Sequence, residues 1–430
     1  MKPHLILRLA RSDTPPPRRA HWTEAIRDKS LTAPLSPAIG AALARHGLPV
    51  WTTAEYRPGA GGQWSEDERA AGLDRIYRLV LERNGRIPPA LIDEIRLLPE
   101  VEDLRVGQIG AERLAPRQSV AQSRRQRRPQ AQIGLDLAHR MGRGEPTVTV
   151  AVLDTGVDIG HPEFEGRMRD GADFVNILSG AEEFIGDVIG ADHDPADEVG
   201  HGTHVSGIIA ARGLGMSSGV APGCTVMPVR VLATMERDGE KLGAGLIENI
   251  NTGVKYAIDH GAQIINMSLG VRHEGGGLPH QEVVDYARRK GVLIVAASGN
   301  DGTETLYYPG AFESVMAIGA SGEDGRVAGF STFGPQVKLI APGEEIVSAR
   351  PGGGYAAASG TSQAAPFVAG AAALLQSLAH RAGGRFSARD LTEILISTAD
   401  RPGPRYRDRR AGFGRLNAAD AMRLARARIN

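Results

Sequence analysis

The sequence predicts an α/β protein in which a doubly wound, mostly parallel sheet is preceded by a small α+β domain. From Ile133 onward, short apolar strands alternate with helices, which indicates parallel strands with helices on both faces of the sheet. Before residue 110 the elements follow the order β-α-β-β-α-β, which is typical of a ferredoxin-like module. The 430 residues, 41 % of them hydrophobic, are enough for one large core and a second, smaller one.

The N-terminal domain, residues 1–110, is predicted from apolar alternation and helix start signals. Leu5, Leu7 and Leu9 alternate in the first strand, and two prolines open the second helix. The predicted strands cover residues 4–9, 50–53, 76–81 and 101–106, and the predicted helices cover 37–46 and 88–98. Residues 11–35 and 57–66 are predicted loops, because the first is rich in proline and the second in glycine.

A basic segment follows this domain. Residues 113–130 contain six arginines and no acidic residue, so we interpret 111–132 as an exposed linker. A protease-sensitive region and a nucleic-acid patch at residues 124–128 are the alternatives. Over the whole chain Lys+Arg and Asp+Glu are equal, at 50 each, which argues against nucleic acid or an anionic membrane as a partner.

The second domain, residues 133–430, carries the alternating strands and helices. Its predicted strands cover residues 148–153, 226–232, 264–267 and 292–296, and its predicted helices cover 202–211, 244–259 and 281–290. Ligands of such sheets bind at the carboxyl ends of the strands. Asp154, Ser268 and Asn300 lie at or just after three of these ends, so we expect the functional site there.

Ser362 is the candidate nucleophile. It follows Gly360 and begins an Ala-rich helix predicted to run to about residue 379, with Pro366 in its first turn. At a helix N-terminus the unpaired N–H groups favour negative charge, which acyl transfer needs beside its nucleophile. Thr361 or Ser362 as a simple helix N-cap is the alternative.

Three further residues have the chemistry that a serine nucleophile needs. His201 lies between glycines in GHGTHVSG (200–207) and is the candidate base, whereas His204 is expected to pack inside the helix. Asp154 needs a partner because a buried carboxylate is costly, and an imidazolium would serve, although a structural capping role is the alternative. Asn300 can donate its amide to an oxyanion, or it is a turn asparagine.

These fragments together resemble the subtilisin-like serine peptidases (subtilases). The matching stretches are VAVLDTGVD (150–158), GHGTHVSG (200–207), GVAP (219–222), MSLG (267–270), AASGN (296–300), LIAPGE (339–344) and GTSQAAPFVAG (360–370). The resemblance implies a subtilisin-like sheet and a serine endopeptidase that forms an acyl-enzyme on Ser362. It makes His201 the general base and acid and Asp154 its orienting group. Asn300 and the Ser362 N–H would form the oxyanion hole.

The resemblance also implies a substrate cleft. Ser268, Leu269 and Gly270 would pair with substrate backbone as an added strand. The specificity pocket would be walled by Ala297, Ser298 and Gly299, with Asp301 and Tyr307 at its rim or floor. A Tyr307 that intrudes would favour small or modest side chains before the cleaved bond, and an inward Asp301 would favour basic ones.

The N-terminal domain weakly resembles the inhibitory propeptides of the same family. As partner of the second domain it would be an intramolecular inhibitor or folding chaperone, and the protein would be a zymogen. A retained regulatory domain is the alternative. For the whole protein the alternatives to a general peptidase are a dedicated processing peptidase for one partner protein and a catalytically silent peptide-binding relative.

No cofactor is expected for the chemistry, and the metal content is unknown. Residues 182–198 contain seven acids and no Lys or Arg, and could attract calcium, a basic substrate or only solvent. The loop after the His201 helix, residues 212–218, has no Asn or Asp, which weakens the expectation of a structural calcium there. The single cysteine, Cys224, excludes an intramolecular disulfide. With no signal peptide or membrane span recognised, we expect a cytoplasmic protein, with leaderless secretion as the alternative.

Overall fold

The computed structural model describes residues 3–25, 35–59, 61–83, 85–113, 117–119, 128–175, 184–185, 194–237, 240–272, 278–404 and 406–429. The strands in these ranges are β1 (His4–Leu9), β2 (Val50–Ala54), β3 (Ile76–Leu81), β4 (Val101–Val106), β5 (Ile109–Arg113), β6 (Arg117–Ser119), β7 (Thr149–Asp154), β8 (Ala172–Asp173), β9 (Phe184–Ile185), β10 (Thr225–Arg230), β11 (Ala233–Arg237), β12 (Glu240–Leu246), β13 (Ile264–Met267), β14 (Val271–Arg272), β15 (Leu293–Ala297), β16 (Tyr307–Tyr308), β17 (Met316–Ser321), β18 (Val337–Pro342), β19 (Ile346–Arg350) and β20 (Gly354–Ala358).

The helices alternate with these strands along the chain. They are α1 (Trp22–Ala25), α2 (Pro37–Arg45), α3 (Glu66–Ala71), α4 (Pro89–Arg96), α5 (Arg128–Gln132), α6 (Leu135–Met141), α7 (His201–Ala210), α8 (Ile247–Asp259), α9 (Gln281–Arg289), α10 (Thr361–Arg381), α11 (Ala388–Ser397) and α12 (Ala418–Ile429). None of the helices in the described ranges combines the length and apolar character that crossing a bilayer requires.

The N-terminal sheet is antiparallel, with the strand order β2-β3-β1-β4. Alternate residues of a strand face opposite sides of a sheet. Leu5 and Leu7 therefore face one side, where they pack against Leu91 and Ile95 of α4 in a core of their own. Ile6, from the same strand, belongs to a different core that it shares with helices of the second domain. The sheet is thus covered on both faces.

The second domain contains a seven-stranded parallel sheet in the order β18-β17-β15-β13-β7-β10-β8. Strand β7 is buried on both sides, because Val150 and Val152 pack with α7 and α10 while Leu153 packs with α8 and α9. Such two-sided burial explains why the strands are near-continuous apolar runs. The prediction of a mixed α/β fold with a large parallel sheet is confirmed.

Two smaller antiparallel sheets flank this layer and include residues from the predicted linker. Strand β5 pairs with β12 in the sheet β5-β12-β11-β9, and β6 pairs with β20 in the sheet β19-β20-β6. The exposed linker predicted for residues 111–132 therefore contains strand residues and α5. The arginine-rich composition did not indicate this, because the hydrogen bonds are made by backbone groups of distant strands. Residues 124–127 lie outside the described residues.

Some predicted elements differ from the observed ones. The helix predicted from residue 244 begins at Ile247, because residues 244–246 pair with β5 as part of β12, and Ala244 also pairs with β11. Helix α3 begins at the last residue of the loop predicted for 57–66 and was not itself predicted, although Ser65 and Glu68 form a capping box that marks its start. Pro366 lies inside α10, in the second turn rather than the first.

Candidate active site

Asp154 and His201 form a buried pair. Asp154 is the last residue of β7, and His201 is the first residue of α7, which Gly200 begins with a positive φ of 92°. The Asp154 carboxylate accepts a hydrogen bond from the Thr155 N–H at 2.8 Å and lies 2.7 Å from His201 Nδ1 through the same oxygen. Asp154 has no solvent exposure and His201 is 3 % exposed. Such a contact orients the imidazole and stabilises its protonated form.

Asp197 links the two members of this pair, and the sequence reasoning did not single it out. One of its oxygens accepts from Thr155 Oγ1 at 2.9 Å and from Gly200 N at 2.6 Å. The other accepts from the N–H and hydroxyl of Thr203, in the first turn of α7. Burial raises the pKa of Asp197, against the effect of these hydrogen bonds. The spacing of Asp197, four residues before His201 at the start of a helix, was the available signal.

Ser362 lies in the first turn of α10, and Pro366 shapes its surroundings. A proline has no N–H to donate to the carbonyl four residues earlier, which here belongs to Ser362. That carbonyl instead accepts from Ser268 Oγ at 2.8 Å. The Ser362 hydroxyl in turn donates to the Ser268 carbonyl at 3.3 Å. Ser268 follows the carboxyl end of β13, so this exchange ties the nucleophile candidate to the edge of the parallel sheet.

Asn300 is oriented by the residue before Ser362. Its side-chain oxygen accepts from the Thr361 N–H at 2.8 Å and from Thr361 Oγ1 at 3.0 Å. Gly299, with a φ of 107°, donates its N–H to the same hydroxyl at 3.2 Å. Because the amide oxygen of Asn300 is used in this way, its NH₂ group is the end that can donate to an oxyanion.

The four candidate catalytic residues thus meet at the carboxyl ends of the parallel strands. Asp154 is the last residue of β7, and Ser268 and Asn300 follow the neighbouring strands β13 and β15. Helices α7 and α10 pack side by side on the same face of the sheet. Among the described residues no hydrogen bond joins His201 to Ser362, whose hydroxyl points to Ser268. Rotation about the Cα–Cβ bond of Ser362 changes that partner, and catalytic hydrogen bonds commonly tighten only with substrate bound.

The predicted cleft residues lie beside this group. Leu269 and Gly270 continue from Ser268 and are buried, as are Ala297, Ser298 and Gly299 at the end of β15. The Ser298 hydroxyl donates to the Thr332 carbonyl at 3.0 Å. The segments 268–270 and 297–300 therefore lie at the carboxyl ends of the neighbouring strands β13 and β15.

Tyr307 and Asp301 lie between these segments. The Tyr307 hydroxyl donates to Asp301 Oδ2 at 3.2 Å and accepts from Arg272 Nε at 3.0 Å. Arg272 also donates to Asp301 at 2.6 Å, and Thr332 donates to its other oxygen. Burial would raise the pKa of Asp301, but the hydrogen bonds from Thr332 and Thr303 hold it at about 2. Arg272 was not predicted as a site residue.

The loop after α7 is closed by a carboxylate. Glu163 accepts from the backbone N–H groups of Gly213, Leu214 and Gly215, at 2.7, 3.0 and 2.7 Å, and from the hydroxyl of Tyr355 at 3.1 Å. Burial would raise the pKa of Glu163, yet these backbone hydrogen bonds lower it. A negative side chain thus satisfies the loop amides directly.

Of the acids expected in residues 182–198, Glu182, Glu183, Asp187 and Asp192 lie outside the described residues. Asp197 is buried rather than solvated, for the reason given above. In the described part of the chain, no cluster of three or more His, Cys, Asp or Glu side chains is arranged to hold a metal ion.

Three other side chains are buried in the interior of the second domain. His204 packs inside, with Nε2 3.1 Å from the carbonyl oxygens of Ile346 and Ala356. Cys224 is buried, and burial raises the pKa of its thiol to about 11, which is unsuited to a nucleophile. Gln363, next to Ser362, is fully buried, and its two amide atoms have no hydrogen-bond partner among the described residues.

Comparison with known proteins adds an independent observation. The sequence profile of the subtilase family matches residues 145–414. The thermophilic serine proteinase of Bacillus sp. (strain AK1) is 37 % identical over 292 residues, which is 67 % of this chain and 64 % of that protein. The major intracellular serine protease of Bacillus subtilis (strain 168) is 39 % identical over 236 residues, 54 % of this chain and 68 % of that protein.

A solved structure matches as well. The prenylagaramide maturation protease PagA superposes with a TM-score of 0.56 and 31 % identity, covering 68 % of this chain and 98 % of that one. The family match spans more than half of the chain and includes Asp154, His201, Asn300 and Ser362. The chain belongs to the subtilase family of serine proteases.

Proposed function

We propose that the protein is a serine endopeptidase that hydrolyses peptide bonds through an acyl-enzyme on Ser362. The observation that carries the proposal is the buried Asp154–His201 pair at the sheet edge that also carries Ser362 and Asn300. Buried carboxylate and imidazole groups are costly to maintain, and a peptide-binding protein without catalysis has no need of them.

The reaction follows from these groups. Ser362 Oγ attacks the substrate carbonyl while His201 Nε2 takes its proton, and Asp154 stabilises the imidazolium. The negative oxygen of the tetrahedral intermediate accepts hydrogen bonds from the Asn300 amide and the Ser362 N–H. His201 returns the proton to the leaving amine as the C–N bond breaks. Water, activated by His201, then hydrolyses the ester and restores Ser362.

The N-terminal domain is proposed to inhibit the peptidase and to assist its folding. Two strands within residues 109–119 add antiparallel to strands of the second domain, which is the pairing mode by which a peptide adds to a sheet edge. β5 pairs antiparallel with β12, and a Cβ on Gly110 would lie 2.7 Å from Val271, the residue after Gly270. β6 pairs antiparallel with β20, which ends at Ala358, four residues before Ser362. The contact of Gly110 with Val271 and the pairing of β6 with β20 support an inhibitory role.

Charged contacts between the domains support the same role. One face of the N-terminal sheet presents basic side chains to the first turns of α8 and α9. Arg105 donates to Glu282 at 2.7 Å, and His4 lies 3.6 Å from Glu248. Both glutamates are 1 % exposed. Such buried partners make docking specific, because separating them leaves buried charges without a counterpart.

The remaining proposals concern organisation and location. We propose a ferredoxin-like N-terminal domain over residues 1–110, a linker over 111–132 and the peptidase domain over 133–430. The strand order β2-β3-β1-β4 with α2 and α4 on one face supports the first assignment. A cytoplasmic location is supported by the buried thiol of Cys224 and by the intracellular serine protease among the relatives. Fractionation of expressing cells, with activity measured in each fraction, tests the location.

A second candidate is a dedicated processing peptidase for one partner protein. It is favoured by the solved relative PagA, which is named a maturation protease. Digestion of casein distinguishes the two: extensive degradation supports a general peptidase, and resistance of casein with one cut in a specific protein supports the processing role.

The decisive experiment is the intact mass of the full-length protein over time, beside Ser362→Ala. We expect the wild type to lose an N-terminal fragment and Ser362→Ala to stay whole. In subtilisin, the reference system for this substitution, losing the triad serine lowers kcat on the order of 10⁶-fold. If both proteins stay whole, a fluorophosphonate probe decides: labelling that needs Ser362 supports an active peptidase with a retained domain, and absence of labelling favours a latent zymogen or a catalytically silent relative.

A further inference from the structure

The space that receives the substrate side chain before the cleaved bond can be located from the hydrogen bonds around Ser362. The reacting carbonyl must lie between Ser362 Oγ and the Asn300 amide. Ser268 is bonded to Ser362, and Asn300 is bonded to Thr361. The segment that begins at Ser268 and the separate segment that ends at Asn300 therefore border the side chain of that substrate residue. The gap between them lies between two glycines, Gly270 and Gly299.

This gap is filled by the ring of Tyr307. A Cβ placed on Gly299 would lie 2.5 Å from Tyr307 Cε2 and 2.6 Å from Cδ2. A Cβ placed on Gly270 would lie 3.0 Å from Tyr307 Cβ and 3.3 Å from Cδ1. One side of the ring thus faces Gly270 and the other side faces Gly299. A side chain at Gly299 would collide with the ring, and a side chain at Gly270 would press closely against it.

The ring is held there by a clamp of its own. Tyr307 is directly opposite Arg272 in the two-stranded β14–β16 ladder. The Arg272 guanidinium lies 5.4 Å from the centre of the Tyr307 ring, in a cation–π arrangement, and donates to its hydroxyl. Asp301 accepts from that hydroxyl and from Arg272. A large substrate side chain would have to break all three of these contacts to displace the ring.

The same contacts argue against a preference for a basic side chain before the cleaved bond. Asp301 is paired with Arg272 and accepts from Thr332, so its charge is already compensated. A substrate Lys or Arg would have to replace Arg272 and to pass the Tyr307 ring.

We propose, resting on the serine peptidase function above, that Tyr307 closes the pocket between Gly270 and Gly299 and restricts cleavage to peptides with Gly, Ala or Ser before the cut bond. The substrate class is thereby defined by exclusion of large side chains. A pocket that differs by even one methylene discriminates by about 10- to 200-fold, so exclusion of an aromatic ring gives at least about 100-fold.

The test is a series of peptide p-nitroanilides that differ only in the residue before the anilide: Gly, Ala, Leu, Phe and Lys. Full-length protein is used, and its active sites are counted with a fluorophosphonate probe, which has no such side chain.

We expect kcat/KM for Ala to exceed that for Phe by at least about 100-fold. Tyr307→Gly should raise kcat/KM for Phe at least about 100-fold, and Arg272→Met should raise it by a smaller factor. Tyr406→Gly removes an exposed tyrosine and is the matched control, with the wild-type profile expected.

The outcomes separate this inference from the function on which it rests. A wild-type protein that is labelled but prefers Phe, Leu or Lys overturns the closed pocket and leaves the peptidase intact. A protein that is neither labelled nor active, also after incubation long enough for self-cleavage, contradicts the peptidase itself. If Tyr307→Gly does not fold, the wild-type profile and Arg272→Met still decide, because unchanged Phe cleavage in Arg272→Met contradicts the clamp.

Discussion

Asp197 illustrates at the scale of single residues how a side chain outside the catalytic group sets its geometry. Its two oxygens hold Thr155, the neighbour of Asp154, against the first turn of the helix that carries His201. The distance between Asp154 and His201 is therefore fixed by hydrogen bonds to residues beside them in the chain. Because all of its partners are donors, neither oxygen can be exchanged for an NH₂ group without leaving a donor facing a donor.

We expect Asp197→Asn to lower kcat by about 10- to 100-fold, since a buried donor left without its acceptor costs about 1–3 kcal/mol. The measurement is kcat against pH, with active sites counted by a fluorophosphonate. A displaced His201 should also shift the acidic limb of this profile, which a loss of stability alone would not do. Asp324→Asn, at an exposed position, is the control. A wild-type profile in Asp197→Asn would show that the residue does not position the pair.

At the scale of elements, the two short strands β5 and β6 cover the edges of two sheets. Open sheet edges such as those of β12 and β20 accept further strands, and here the chain supplies the strands itself. Gly110 permits this because its missing side chain leaves room for Val271. The fit of β5 therefore depends on one small residue.

Gly110→Val should weaken this pairing, because the new side chain would collide with Val271. We expect the initial rate of fluorophosphonate labelling of full-length protein to rise at least about 10-fold, equivalent to about 1.4 kcal/mol. Gly85→Ala is the matched control, since a Cβ there meets nothing within 4 Å. Equal labelling rates in wild type and Gly110→Val would mean that β5 does not block the site.

At the scale of the whole molecule, the two domains are joined by buried ion pairs as well as by apolar contact. Glu282 contacts Arg105 and Arg8 and accepts hydrogen bonds from Tyr56 and Asn251. Burial alone would raise the pKa of Glu282, but the two arginines outweigh it and hold the pKa at about 2. A carboxylate with a lowered pKa stabilises the folded state above its ordinary value of 4.5, and this contribution is lost as the pH falls toward 2.

We expect Glu282→Gln to destabilise the docked molecule by about 3–5 kcal/mol at pH 7, because two arginines lose their buried partner. Thermal unfolding is compared in the Ser362→Ala background, which prevents self-cleavage, with Glu94→Gln as the control for an ion pair nearer the surface. The difference between Glu282→Gln and its parent should shrink below pH 4.5. A difference that is independent of pH would contradict the role of the charge.

The sequence by itself determined the fold class, the family and the candidate residues Asp154, His201, Asn300 and Ser362. These are local features: apolar strands alternating with helices, and short glycine-rich motifs at strand ends and helix starts. These features can be recognised in the sequence because each motif forms its own turn or helix start from neighbouring residues. Three of the motifs, which contain Asp154, Ser268 and Asn300, lie at the carboxyl ends of parallel strands. Their proximity follows from the parallel sheet that the alternation of strands and helices predicts.

Only the tertiary structure decided the contacts between residues far apart in the chain. The exchange between Ser268 and Ser362, the clamp of Arg272 on Tyr307 and the seating of β5 against β12 join segments with no common pattern. The capping box at Ser65 could have been found in the sequence, whereas these contacts could not. Their energies depend on distance, burial and direction in space, and these quantities exist only once the sheet has brought the segments together.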